Sequence, residues 1–407
     1  MRVLFLCNKS PYPAREGGPI AMNSLIEGLL DAGHLVKILA VNSDKYHVDP
    51  SEIPADYKQK TGIELVHLDL RVKPVEAFLN LFTSSSYHVE RFISSDFRKK
   101  LLDILQRYQF DIVQLETLFM MPYVADIRTH SKAKVILRAH NIEHLIWKRL
   151  SQQAGNAIKR WYLNHLTRTL KRFELKSLEQ VDGIAAITRK DAAFFRGLTA
   201  TPVIDIPFGI RLREKKTEVS GKTLPALFHI GAMNWIPNEE GIRWFLDDVW
   251  PEVHKRYPLL EFHLAGRYMP NWLFTGYKPQ VKVLGEVPNA DDFVQSNDIA
   301  IVPLLSGSGI RIKIIEAMAQ GKAVITTEIG AEGILYQNEH NILIANNKME
   351  FLNALEKCIK QPDFYKNIGV NARTLIEQVY DNKLIVHRLE LFYDQLRKQS
   401  VLRKPTE

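Results

Sequence analysis

Short apolar, β-branched runs alternate with stretches of helical spacing along almost the whole chain, each run bounded by polar or turn-forming residues. Val3–Cys7, Leu35–Val41, Asp111–Leu115, Val135–Arg138 and Gly183–Ile187 read as strands. Their nearly continuous apolar character suits a parallel sheet covered on both faces. Between them, Ala21–Ala32 and Asp96–Tyr108 carry helical periodicity, and Gly33 closes the first as a C-terminal cap. The segment GIRLREKKTEVSGKTLP from Gly209 to Pro225 is polar and poor in strand formers, which predicts a linker. The alternation then restarts. Strands are predicted at Ala226–Ile230, Glu261–Ala265, Val281–Leu284, Ile299–Pro303, Ala323–Thr326 and Asn341–Ile344, with helices at Glu240–Asp247 and Met349–Ile359 among them. Two successive βαβ series predict an α/β protein of two Rossmann-like, doubly wound parallel-sheet domains. The expected boundaries are 1–208, a linker at 209–224, and 225–383. The last stretch, 384–407, carries a helical pattern over Leu384–Arg397 that is expected to pack back on the first domain.

A length of 407 residues fits two domains, and 46% hydrophobic with 25% charged residues is ordinary globular composition. No run approaches the roughly 18 apolar residues of a membrane span. The opening MRVLFLCNKSPYP passes directly into strand-like sequence, so no signal peptide is expected. Cys7 and Cys358 stand far apart and support neither a disulfide framework nor a zinc site. A soluble, cytoplasmic chain is the expectation. Its net charge of +8 is unevenly spread: nine Lys/Arg residues lie between Arg138 and Lys176 against only Glu143 and Glu174. Such a strip can meet an anionic membrane surface or be a solvated helix face. Within it, Ile142, Ile146, Leu150, Ala154 and Ile158 recur about once per turn, the spacing of one amphipathic helix.

The densest chemistry lies in Ser306–Gly333, SGSGIRIKIIEAMAQGKAVITTEIGAEG, directly after the strand Ile299–Pro303. Gly307 and Gly309 let the backbone approach a ligand, and a helix opening after them offers free N–H groups to a phosphate. Lys313 and Glu316 share a face of that helix, where a carboxylate can accept from two vicinal ribose hydroxyls or simply pair with the lysine. His140 follows the strand Val135–Arg138, at the carboxyl end where open α/β sheets bind ligands. Arg138, Asn141 and Glu143 flank it, and Asn141 with Glu143 also fits a helix-capping arrangement. The chain has no Walker sequence, no G-x-G-x-x-G after its first strand and no Asp-x-Asp. A P-loop, an ordinary dinucleotide dehydrogenase and a metal-dependent Asp-x-Asp transferase are therefore not indicated.

The run Glu316-Ala-Met-Ala-Gln-Gly-Lys-Ala-Val, followed by Gly330 and Gly333, resembles the donor motif of retaining glycosyltransferases of the GT-B fold. More narrowly it is similar to the glycosyl transferase group 1 (family 4) enzymes of bacterial surface polysaccharides, and the resemblance spans nearly the whole chain. Gly17-Gly18 resembles the N-terminal glycine loop of that family, Phe208-Gly209-Ile210 its domain crossover, and His229-Ile230-Gly231 the start of its second domain. The resemblance implies two domains facing a central cleft and a nucleotide diphosphate sugar as donor. It implies a glycan or lipid-linked acceptor hydroxyl, retention of configuration, and neither a metal cofactor nor nucleic acid. It places Glu316 on the donor ribose, His140 near the sugar, and Gly17, Gly18, Gly307, Ser308, Gly309 and Ile310 around the donor, where the Asn234 amide can also reach phosphate or sugar. Two departures matter. Ser308 stands where the family has the first of two glutamates, a pattern similar to a branch reading G-S-G-x-R-x-K-x-x-E. The loop after Gly231 lacks the family's basic residue, so Arg311 and Lys313 are expected to meet the diphosphate, while Trp235 reads as a packing residue. A nucleotide-sugar 2-epimerase and a catalytically silent binding subunit remain the alternative readings.

Overall fold

In the first strand the side chains of Val3, Phe5 and Cys7 enter one hydrophobic core and those of Leu4 and Leu6 enter another. The period-two alternation of a strand thus feeds two apolar faces at once, which is why the run carries no polar position. The computed structural model describes residues 1–14, 17–212, 224–276, 278–307 and 309–402. They form two units, Met1–Gly209 with the segment from Asn382, and Ile210–Asp381.

The first unit is built on seven parallel strands: β1 Arg2–Cys7, β2 Leu35–Asn42, β3 Glu64–His67, β4 Ile112–Glu116, β5 Lys134–Ala139, β6 Gly183–Ala186 and β7 Val203–Asp205. Their order is β3-β2-β1-β4-β5-β6-β7, so the winding reverses between β1 and β4. The helix Asn382–Leu402 completes one of the two cores, burying Ile385, Leu389, Phe392 and Leu396 beside Phe5, Ile38 and Ile136. The unit therefore needs a segment from the far end of the chain to close its own core. β3 and β7 were not visible as apolar runs: both lie at sheet edges, where β3 is mostly half-buried and β7 wholly so.

The second unit has six parallel strands: β8 Leu227–Ile230, β9 Phe262–Ala265, β10 Val281–Gly285, β11 Ile299–Val302, β12 Ala323–Thr326 and β13 Leu343–Ile344. The order β10-β9-β8-β11-β12-β13 reverses between β8 and β11. Ile210 and Asp381 pair with each other at its two ends. Of the linker expected at 209–224, Gly209 closes the first unit and Ile210 opens the second, while residues 213–223 lie outside the described ones. The expected strand Asn341–Ile344 shortens to β13, because Asn341 instead accepts from the Gln337 N–H and shapes a turn.

The basic segment departs from the single amphipathic helix its periodicity suggested. It forms two helices, Glu143–Gln153 and Ala157–Ser177, broken at Ala154 to Asn156. Asn156 starts the second helix, its side chain accepting from the Ile158 and Lys159 N–H groups at 2.8 and 3.3 Å. Ile142 and Ala154 are buried, and so is Arg138, in β5. The cap expected from Asn141 and Glu143 comes from elsewhere. The first helix begins after Ile142, and the buried Glu174 of the second accepts from the Glu143 and His144 N–H groups at 2.9 and 3.2 Å, with His144 Nδ1 at 2.5 Å. Burial and the Glu174 charge push Glu143 up to about 8, so it stays protonated at neutral pH and does not repel Glu174. Glu174→Ala leaves the His144 ring and two buried N–H donors without their acceptor, a loss of about 3 kcal/mol or more. Thermal denaturation should register it as a lowered Tm, and an unchanged Tm would show that the hairpin is capped by other means.

Candidate functional site

In the second unit, the polar groups gather where the sheet reverses, at the adjacent carboxyl ends of β8 and β11, the position at which doubly wound sheets bind ligands. After β11 the chain turns through Gly307 and Gly309, both left-handed at φ 111° and 87°, before the helix Ile312–Ala319. A Cβ on Gly307 would stand 2.9 Å from Arg311 Nη2 and 3.2 Å from the Trp235 ring, so glycine there lets two large side chains close over the loop. Arg311 precedes the helix as its N-cap residue rather than lying within its first turn. It is buried and turned back on the loop, Nη1 donating to the Gly309 carbonyl at 2.5 Å, its guanidinium 5.2 Å from the Trp235 ring centroid. Trp235 is 37% exposed, so its packing is confined to the face that meets Arg311 and the Gly307 turn.

Lys313, one turn beyond the glycines, does not sit in solvent beside Glu316. Its ammonium donates to Asn238 Oδ1 at 2.7 Å and faces His229 Nε2 at 3.4 Å. Asn238 is oriented by its own donation to the Ala232 carbonyl at 2.8 Å. His229 Nδ1 lies 2.7 Å from the Ile301 carbonyl and is the protonated nitrogen there, which leaves Nε2 as an acceptor. Burial, with the Lys313 charge, holds His229 well below the ordinary imidazole range, so the ring is neutral. A Cβ on Gly231 would come within 2.4 Å of Lys313 Nζ, so only glycine leaves room for the cation under this loop. Burial first, then the Arg311 charge, brings Lys313 down to about 7, with Glu316 partly opposing them. The loop after β8, which has no basic residue of its own, receives its cation from the helix after β11.

Glu316 is exposed on the second turn of that helix, and Asn234 is exposed in the β8 loop. Ile310 is half-buried beside Gly309, while Ser308 lies outside the described residues. Two threonines that motif reading passed over hold the neighbouring loop. Thr326 and Thr327 donate to the Val302 and Leu304 carbonyls at 2.7 and 2.5 Å, and the Gly330 N–H donates back to Thr327.

In the first unit, Gly17 and Gly18 open the helix Gly17–Asp31 after β1 instead of forming a free loop. His140 stands just past β5, and its Nε2 lies 2.6 Å from Glu116 Oε2 at the end of β4. Glu116 is fully buried and cross-strand to Arg138, whose Nη1 is 3.7 Å from Oε1. Gln114 donates to Glu116 at 2.5 Å and accepts from the Tyr393 hydroxyl of the C-terminal helix. Burial alone would raise the Glu116 carboxyl, but Arg138 and His140 outweigh it and keep it below its ordinary value, hence ionised. An ionised acceptor fixes the proton on His140 Nε2 and the plane of the ring. The next residue, Thr117, holds φ 87°, strained for a β-branched side chain and a mark of a constrained site. Motif reading missed Glu116. Its signal was a charged residue ending an otherwise apolar strand beside a second strand that contains an arginine.

Residues 225–361 match the family model described as glycosyl transferases group 1. The chain is 23% identical over 397 residues, 94% of its own length and 97% of the other's, to an uncharacterized 44.6 kDa protein in the cps region of Klebsiella pneumoniae. Sucrose-phosphate synthase from Thermosynechococcus elongatus superposes at a TM-score of 0.68 and 16% identity, covering 97% of this chain and 99% of that one. HepE of Anabaena, solved in complex with UDP, superposes at 0.66 and 14% identity, covering 97% and 100%. The chain has the two-domain GT-B fold, and its second unit matches the glycosyl transferases group 1 model. That match falls on the second unit and covers both loops that hold Lys313. No helix among the described residues is long and apolar enough to cross a membrane.

Proposed function

We propose that the enzyme moves a hexose-type sugar from a nucleotide diphosphate sugar to a hydroxyl of a glycan or lipid-linked acceptor. Anomeric configuration is retained, no metal cofactor is used, and the product enters a cell-surface polysaccharide. The observation that carries the reading is the Lys313 ammonium under Gly231, at the start of a glycine-preceded helix in the group 1 segment. A diphosphate leaving group gains negative charge as the glycosidic bond breaks, and a desolvated cation with a helix N-terminus stabilises that charge without a metal. In this reading Arg311 and Lys313 meet the diphosphate, Glu316 holds the ribose, and His140 contacts the transferred sugar. Asn234, Ser308, Ile310 and the glycines at 17, 18, 307 and 309 line the donor. Because HepE was solved with UDP, UDP-sugars are the first donors to test for binding. The cps-region relative supports the polysaccharide role.

The epimerase alternative needs two carboxylates free to exchange a proton with the sugar. Glu116 is committed to Arg138 and His140, and Glu143 is buried against Glu174, so among the described residues of the first unit these carboxylates form no such pair at His140. Donor hydrolysis without acceptor separates an enzyme from a silent binder. The assignment of Glu316 is tested by Glu316→Ala, which removes a charge-assisted hydrogen-bond pair of about 2–4 kcal/mol. Calorimetry should show donor affinity falling more than about tenfold with the fold intact. Unchanged nucleotide binding would defeat the assignment.

A further inference from the structure

The helix Pro74–Asn80 is amphipathic in the reverse sense. Val75, Phe78, Leu79 and Phe82 repeat at i, i+3, i+4 and i+7, the stripe that a surface helix normally turns toward its core. All four are exposed, by 58% to 77%, while Asn80 is buried. Polar anchors hold the segment in this attitude. The Asn80 amide donates to Thr83 Oγ1 at 3.0 Å and to Glu90 Oε2 at 2.9 Å, and the Lys73 N–H donates to the Tyr87 hydroxyl at 2.9 Å. Phe78 and Phe82 pack edge to face, 5.6 Å between centroids, and pair with each other in the open.

Tyr87 ties this segment to the basic hairpin, since its ring packs on Leu166, Tyr162 and Leu163 of the helix Ala157–Ser177. The first turns of that helix expose Ile158 and Trp161, by 77% and 61%. Over residues 143–177 all eight Lys/Arg side chains are exposed, and both acids, Glu143 and Glu174, are buried. The hairpin therefore shows the solvent positive charge alone.

We propose that this face of the first unit, the Pro74–Phe82 stripe with Ile158 and Trp161, inserts into the headgroup region of an anionic lipid bilayer. Exposed apolar surface on this scale marks an interface, and the uniformly basic hairpin beside it selects an anionic partner. Aromatic and aliphatic side chains enter the acyl boundary while Lys and Arg stay with the headgroups, each adding attraction that salt screens. The inference touches the transfer reaction only through the lipid-linked acceptor, which would then be met at the membrane.

The test is flotation of the purified full chain with phosphatidylcholine vesicles and with phosphatidylcholine/phosphatidylglycerol vesicles at low and high salt. The chain should float with the anionic vesicles and be released by salt. The double variant Phe78→Asp/Phe82→Asp should lose about tenfold or more of the vesicle affinity while keeping its Tm and its donor hydrolysis. Lys159→Gln/Arg160→Gln should weaken flotation and flatten its salt dependence. No flotation with anionic vesicles, or flotation indifferent to the Phe78/Phe82 substitutions, overturns the proposal. So does self-association that the same double variant abolishes, which would give the face to a second copy. Lost flotation with intact donor hydrolysis concerns this face alone, whereas lost hydrolysis in the unmodified chain concerns the transferase reading.

Discussion

His140→Ala is expected to lower turnover by about two to three orders of magnitude while binding of the bare nucleotide diphosphate stays nearly unchanged. The ring stands at the carboxyl end of β5 with Nε2 committed to Glu116, so its remaining edge is presented in one orientation. A group held this way can strengthen its contact with the sugar as charge develops without reorganising at that moment. Glu116 is the positioning residue, and its substitution separates orientation from contact. Glu116→Gln keeps the side-chain size but replaces the ionised acceptor with a neutral amide. Turnover should drop by about tenfold with a smaller change in KM, and the imidazole ¹⁵N shifts of His140 should show the Nε2-protonated tautomer losing population. Tm should fall as well, since Arg138, 1% exposed, would lose its buried counter-charge. A His140→Ala enzyme with normal kcat and lowered Tm would make the residue structural.

The second large effect is a pH dependence of donor binding set by Lys313. Burial brings its pKa down from 10.5 to about 7, so near neutrality the free protein holds this lysine partly deprotonated. A diphosphate at that site favours the ammonium, raises its pKa and draws in a proton on binding. Affinity for the nucleoside diphosphate should therefore fall as pH rises above 7, by up to about tenfold per unit, until the pKa of the complex is reached. Calorimetry in buffers of different ionisation enthalpy should detect the proton uptake. Lys313→Met should weaken diphosphate binding by about a hundredfold, remove the pH dependence and leave nucleoside binding intact. The sign for the free protein is opposite. Above about 7 the unfolded lysine, with its ordinary pKa, still holds the proton that the folded one has lost, so this group makes stability rise with pH up to about 10.5. Affinity independent of pH, with no proton taken up, would place the diphosphate elsewhere, with Arg267 beyond β9 as the next candidate.

Sequence alone located most of the strands because the inner ones are buried on both faces and are largely apolar. β11 is apolar throughout for that reason, as are β1 after Arg2 and β12 before Thr326, and the glycines and Glu316 were legible because turns and motifs are local. The edge strands β3 and β7 escaped, being short, only partly covered and each carrying an acidic residue. Reading of β4 stopped at Leu115 because a carboxylate does not belong in an apolar run. Glu116 is admissible there only because register sets Arg138 beside it and His140 above it.

The positions of the charges were decided by tertiary structure. From spacing, Lys313 shared a helix face with Glu316, three residues on, and was open either to that carboxylate or to a ligand. In the fold its ammonium meets Asn238 and His229, 75 and 84 residues away, because the parallel order sets β8 beside β11. Likewise, the basic segment 143–177 showed its net charge in the sequence, but not that both of its acids turn inward. The apolar stripe over Val75–Phe82 has the spacing of a buried helix face, and only the burial of Asn80 and its bond to Glu90 reveals that the stripe points outward. Periodicity reports which residues share a face. Which way the face turns depends on partners distant in the chain, and those exist only once it has folded.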